Sequence, residues 1–121
     1  MPRVVADQTG SPTGAAGIAG AITRIAQHAK NDNTAWGTCH FAGVGAVTWH
    51  GFAKATFDLA SRWRGPPSRV DSVTTVDYPT PARHPANSVP DCSRIATPFG
   101  IAPRPWRAML AEVIEELHTT I

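Results

Sequence analysis

No run of apolar residues in this chain comes near the ~18 that a membrane-spanning helix needs, so no such span is expected. The opening residues, MPRVVADQ, have no apolar core of the kind a secretory signal carries. Charge of one sign is also scarce: 11 Lys and Arg face 9 Asp and Glu, a formal net charge of +2. The basic residues are scattered, with Arg62 and Arg64 the close pair. No basic stripe interleaved with aromatics argues for nucleic acid. Cysteine is nearly absent. Cys39 and Cys92 stand far apart and in no metal-ligand spacing, which reads as two free thiols in a reducing compartment. His28, His40, His50 and His118 show no ligand spacing either, so surface or core positions are expected for them rather than a metal site. There is no internal repeat and no low-complexity tract. The expectation is a cytoplasmic protein with neither a membrane nor a nucleic acid as partner.

With 121 residues, 42% apolar and 17% charged, the chain has the balance of a globular domain and the length to bury a core. Its 11 prolines concentrate in 66–105, which predicts a loop-rich second half rather than a helical bundle.

Along the chain, Arg3 to Ala6 is β-prone, and DQTGSPTG (7–14) is turn chemistry in which Ser11 or Thr13 can cap the next helix. Ile18, Ala21, Ile22, Ile25 and Ala26 recur at helical spacing, predicting a helix over 15–29 that KNDNT (30–34) ends. Gly17 and Gly20 weaken that helix by about 1 kcal/mol each relative to alanine. Thr38 to Ala42 reads as a buried strand with GVGA (43–46) as its exit. Thr48 is placed to cap a helix from Trp49 to about Arg62, with Phe52, Ala55, Thr56, Leu59 and Trp63 on one stripe and Gly65-Pro66-Pro67 as its stop. Val70 to Val76 reads as a strand. Asp91 or Ser93 can cap a short helix over 92–98, and 99–105 is a linker. The last helix runs from Trp106 to His118, with Met109, Leu110, Val113, Ile114 and Leu117 as its apolar face and Glu112, Glu115 and Glu116 solvated. Trp49 and Trp106 read as core or lid aromatics. Strands alternating with helices mean α/β.

The most informative stretch is DYPTPARHPANSVPDCSR, residues 77–94. It is dense in proline and carries Arg83, His84, Asn87 and Ser88. Together with VVADQTGSPT (4–13), GTCHFAGVGAVTWHGFA (37–53) and DCSRI…FGIAPRPWRAML (91–110), it resembles the C-terminal, substrate-binding part of the dTDP-4-dehydrorhamnose reductases, extended short-chain dehydrogenases/reductases. The four blocks stand in register and cover nearly the whole chain.

The resemblance implies an α/β fold lacking most of the Rossmann domain. Residues 1–30 would be the last strand and helix of the NAD(P)-binding domain, and 31–121 the substrate-binding domain. It implies a dTDP-sugar as substrate, NADPH or NADH as hydride donor, and a place in dTDP-rhamnose synthesis. Arg83, His84, Asn87 and Ser88 would bind the substrate, with Gln8 and the turn from Gly10 to Thr13 lining the same cleft. Arginine suits a diphosphate through bidentate geometry. The family usually has Arg-Pro where this chain has His84-Pro85, and a neutral imidazole offers one donor and no full charge.

The family's reduction also needs a glycine-rich turn that seats the pyrophosphate on a helix N-terminus. It needs a Tyr-x-x-x-Lys pair as well, whose phenol gives a proton to the ketone. No Gly-x-x-Gly-x-x-Gly turn is read as opening a βα unit near the N-terminus. The one tyrosine, Tyr78, has Ala82 four residues on. No catalytic or cofactor-binding residue is therefore assigned, and the chain is expected to be the tail of a longer enzyme or a truncated gene. Some relatives dimerise around Mg²⁺ through acidic side chains, for which Glu116 is the nearest match. The family also includes a regulatory subunit of methionine adenosyltransferase, so a non-catalytic interaction module or a non-functional remnant is the alternative. Without its partner domain, Ile18, Ile22 and Ile25 would be left exposed, and marginal stability is expected.

Overall fold

The computed structural model describes residues 2–31, 36–65 and 69–120. In chain order the elements are β1 (Arg3–Val5), β2 (Thr9–Gly10), α1 (Ala15–Asn31), β3 (Val47–Thr48), α2 (Trp49–Arg64), β4 (Asp71–Val73), α3 (Ser93–Phe99) and α4 (Trp106–Thr120).

The β-branched pair in Arg3–Val5 forms a parallel ladder with β4, Arg3 opposite Asp71 and Val5 opposite Val73. Bonds from Asp71 N to Pro2 O and from Ala6 N to Val73 O, both 2.9 Å, extend it at each end. β2 pairs antiparallel with β3, Thr9 opposite Thr48 and Gly10 opposite Val47. Segment 2–10 is thus joined to both strands of the later chain, and β2 sits directly beside the start of α2. There Thr48 caps the helix, its side chain accepting from Gly51 N at 3.0 Å, and Gly65 closes it with φ 87° and a bond from its N–H to Ser61 O. Pro66 and Pro67 lie outside the described residues.

Two small apolar clusters hold the helices. Ala21 of α1 meets Ile95 of α3 and Ile101, with Ile25, Phe41 and Phe99 packed around them. Ala55 of α2 meets Trp106 and Leu110 of α4, with Phe52, Leu59 and Ile114 alongside. The outward stretch of α1 stays bare, Ile22 being 61% exposed. A folded monomer of this mass exposes about 6,300 Å² by the usual scaling of area with mass; this chain exposes 8397 Å². A parallel ladder of two strands also presents strand edges of the kind native proteins pair or cover.

Several expectations need correcting. Residues 38–42 form no strand; the backbone runs irregularly into the buried Ala42 and Gly43. Its bonding partners lie elsewhere: Gly43 N donates to the Thr13 hydroxyl at 3.0 Å, and Val44 bridges Pro105. The strand expected over 70–76 keeps only Asp71–Val73, because β1 is no longer and Thr74 already turns toward the Asp77 carboxylate. α1 continues through Lys30 to Asn31, while 32–34, expected to end it, lie outside the described residues. The Asp91 carboxylate accepts from Ser93 N at 2.9 Å, so α3 begins one residue later than expected. Ile25 is packed rather than exposed. On α4, Val113 and Leu117 face solvent, so its apolar face is shorter than its sequence stripe.

Candidate ligand site around Trp49

The first residue of α2 is the centre of the site. Trp49 is 58% exposed, not core: at the start of α2 its indole stands between two hollows. One, of about 410 Å³, lies among Ser11, Thr13, Val47, Phe52, Ser88 and Trp49 and is mostly apolar. The other, of about 340 Å³, lies among Arg3, Gln8, Tyr78, Thr80, His84 and Trp49. Trp106, the other indole in question, is 5% exposed and packs edge-on against Phe52 at 5.9 Å. The sequence treats the two tryptophans alike; only the fold separates a cavity wall from a core residue.

The four residues singled out in the sequence take different places. Ser88 borders the first hollow and bonds Thr9 O through its N–H at 2.9 Å and its hydroxyl at 3.3 Å. His84 borders the second hollow. Asn87 shapes the loop: its side-chain oxygen accepts from Val89 N at 3.0 Å, and its backbone bridges Thr9. Arg83 is exposed and is among the wall residues of neither hollow. Gln8 and the turn from Gly10 to Thr13 line the site as expected. Arg3, Tyr78 and Thr80 join the wall without being expected there. Tyr78 and Thr80 carry a signal, since both stand at the head of the proline-rich stretch; Arg3 carries none.

The electrostatics come from a few exposed groups. Asp7 holds its carboxyl below the usual range, first through the N–H of Thr75 and then through the Thr75 hydroxyl. Asp91 is lowered first by the Ser93 N–H, and Glu112 by its hydrogen bonds from Arg104, at 2.6 and 3.0 Å. A carboxyl lowered in the folded chain adds stability above its unfolded pKa, and that contribution is lost as pH falls through the folded value. The melting temperature is therefore expected to be flat from pH 7 to about 5 and to drop below about pH 4, where unfolded carboxylates begin to protonate. A melting temperature unchanged down to about pH 3 would contradict the assignment of these bonds.

The spacing Gly-x-x-Gly-x-x-Gly does occur, at Gly14, Gly17 and Gly20, a run not remarked in the sequence reading, which expected no such turn to open a βα unit. Gly17 and Gly20 lie within α1 and Gly14 immediately before it. None has a positive φ, and a Cβ at Gly14 or Gly17 would meet Met109. The run is a packing face, not a pyrophosphate cradle, and the residues present do not fit a nicotinamide cofactor. No group of three His, Cys, Asp or Glu among the described residues could hold a metal ion, so Glu116, the nearest match for Mg²⁺, belongs to no such group. Both cysteines are free. No helix among the described residues is long and apolar enough to cross a membrane.

The α/β piece thus lays a proline-rich loop over an aromatic-walled cleft. Residues 2–119 match the family model described as the RmlD substrate binding domain, and the chain belongs to that family. The dTDP-4-dehydrorhamnose reductase of Aggregatibacter actinomycetemcomitans is 39% identical over 113 residues, covering 91% of this chain and 38% of its own length. Among solved structures, the dTDP-4-dehydrorhamnose reductase of Clostridium acetobutylicum superposes with a TM-score of 0.81 at 32% identity, over 96% of this chain and 38% of that one. That of Bacillus anthracis, solved in complex with NADP, gives 0.78 at 27%, over 94% and 37%. The chain thus spans under two-fifths of the length of these relatives, and its fold is that of their C-terminal part.

Proposed function

We propose that this chain supplies the sugar-nucleotide-binding surface of an NAD(P)H-dependent dTDP-4-dehydrorhamnose reductase. In this reading a dTDP-sugar lies across Trp49, with Ser88 on one side and Arg83 and His84 on the other. A separate Rossmann domain brings NADPH or NADH and the proton-donating tyrosine. The observation that carries the reading is the course of loop 77–90, which takes His84 to one hollow beside Trp49 and Ser88 to the other. The exposed area beyond that of a self-contained monomer and the bare face of α1 support a partner domain. The same surface would serve a homodimer, and the setting would be cytoplasmic.

Titration of the purified chain with dTDP-rhamnose, followed by calorimetry, tests this. Binding in the micromolar to millimolar range is expected. His84→Arg should tighten it about tenfold, by adding one charge-assisted contact to the diphosphate. No heat of binding, for the parent chain and for His84→Arg alike, would contradict the proposal and leave the reading of a remnant. Binding in the absence of any redox partner is also what a non-catalytic module would give. A reductase assay with a Rossmann domain added in trans separates the two.

A further inference from the structure

Both ends of the proline-rich strap converge on one short segment. At its start, the Asp7 carboxylate accepts from Thr75 N at 2.9 and 3.0 Å and from the Thr75 hydroxyl at 2.7 Å. Gln8, 8% exposed, donates from Nε2 to the same hydroxyl oxygen at 3.3 Å. Thr75 in turn opens the strap, its carbonyl accepting from Tyr78 N at 3.2 Å. At the strap's end, Thr9 N donates to Ala86 O at 2.8 Å, and Ser88 N donates back to Thr9 O at 2.9 Å. Between these ends, residues 79–85 make no hydrogen bond to the rest of the fold among the described residues; the Thr80 hydroxyl bonds within the strap, to Ala82 O. Pro79, Pro81 and Pro85 stiffen the span by fixing φ. A stiff strap held only at its ends is placed by its anchors.

We propose that Asp7, Gln8 and Thr9 are positioning residues for the ligand site: by holding both ends of the strap they set where Arg83 and His84 stand relative to Trp49. The geometry is independent of any ligand, while the effect on affinity rests on the function proposed above. The segment also ties the strap to the other wall of the cleft, since Gln8 O accepts from Trp49 N at 3.4 Å and Thr9 pairs with Thr48. A shift at Asp7 would therefore change the width between strap and indole.

Asp7→Ala and Thr75→Val test this in the full chain, with Thr75→Ser as the conservative control. Amide hydrogen exchange, read without ligand, should speed up about tenfold at Thr75 and Tyr78 in the first two variants, the effect of losing one hydrogen bond to a charged group. The amides of α2 should keep their rates. The Kd for dTDP-rhamnose should weaken about tenfold in Asp7→Ala and Thr75→Val, and Thr75→Ser should restore it. Unchanged exchange at Thr75 and Tyr78 would overturn the proposal. So would faster exchange with an unchanged Kd, which would reduce the anchor to a structural tie. Should the parent chain take no dTDP-rhamnose, the function proposed above fails, and the exchange rates still decide whether the segment holds the strap.

Discussion

Gly43→Ala is expected to abolish cooperative folding or to lower stability by about 3 kcal/mol, the upper part of the usual overpacking range. A Cβ at this position would collide with the Pro12 carbonyl oxygen, with Met109 Cε at 2.9 Å and Trp106 Cβ at 3.1 Å. The nearest atom is backbone and cannot swing away. Retreat of either segment would break the bond from Gly43 N to the Thr13 hydroxyl and separate the turn 11–14 from α4. Gly20→Ala is the matched control. Its Cβ meets nothing within 4 Å, it lies inside α1, and alanine there should add about 1 kcal/mol through helix propensity. Thermal unfolding of the two variants beside the parent gives opposite signs if the packing is as described. Equal melting temperatures for Gly43→Ala and the parent would rule it out.

Trp106→Ala is expected to cost about 3–5 kcal/mol. The indole fills the centre of the cluster between α2 and α4, against Ala55 and Leu110 and edge-on to Phe52, and the Arg107 guanidinium lies 4.6 Å from its ring centre. At about 0.05 kcal/mol per residue, the low end of the usual range, a chain of 121 residues holds on the order of 6 kcal/mol. The substitution would therefore remove most of what there is. The same reasoning places the parent's own melting temperature below about 60 °C, since so much apolar area stays uncovered. Urea denaturation reads the loss directly; a midpoint for Trp106→Ala within error of the parent would contradict the cluster as the main core.

The helices were legible because their signals are local. Thr48 three residues before Gly51 is a cap that sequence alone can name, and the stripe Phe52, Ala55, Leu59 needs only the helical period. The strands were not legible to the same degree. Residues 38–42 have strand composition but no strand to pair with, and the length of β4 is set by β1, far away in the chain, not by its own alternation. The resemblance found the loop carrying His84 and Ser88, yet nothing in the sequence places Arg3 in the same hollow as His84. That meeting depends on the parallel ladder between β1 and β4. Gly14, Gly17 and Gly20 have the spacing of a dinucleotide-binding turn and a different use. Whether a glycine turns the chain or lets Met109 approach is decided by φ and by neighbours, and a motif records neither.

The most direct test of the central claim is a nitrogen-15 correlation spectrum of the chain titrated with dTDP-rhamnose, read at the tryptophan side chains. The account predicts that the indole N–H resonance of Trp49 shifts with ligand, while those of Trp36, Trp63 and Trp106 hold their positions. A titration in which Trp49 stays fixed, or in which Trp63 moves in its place, would contradict the site described here.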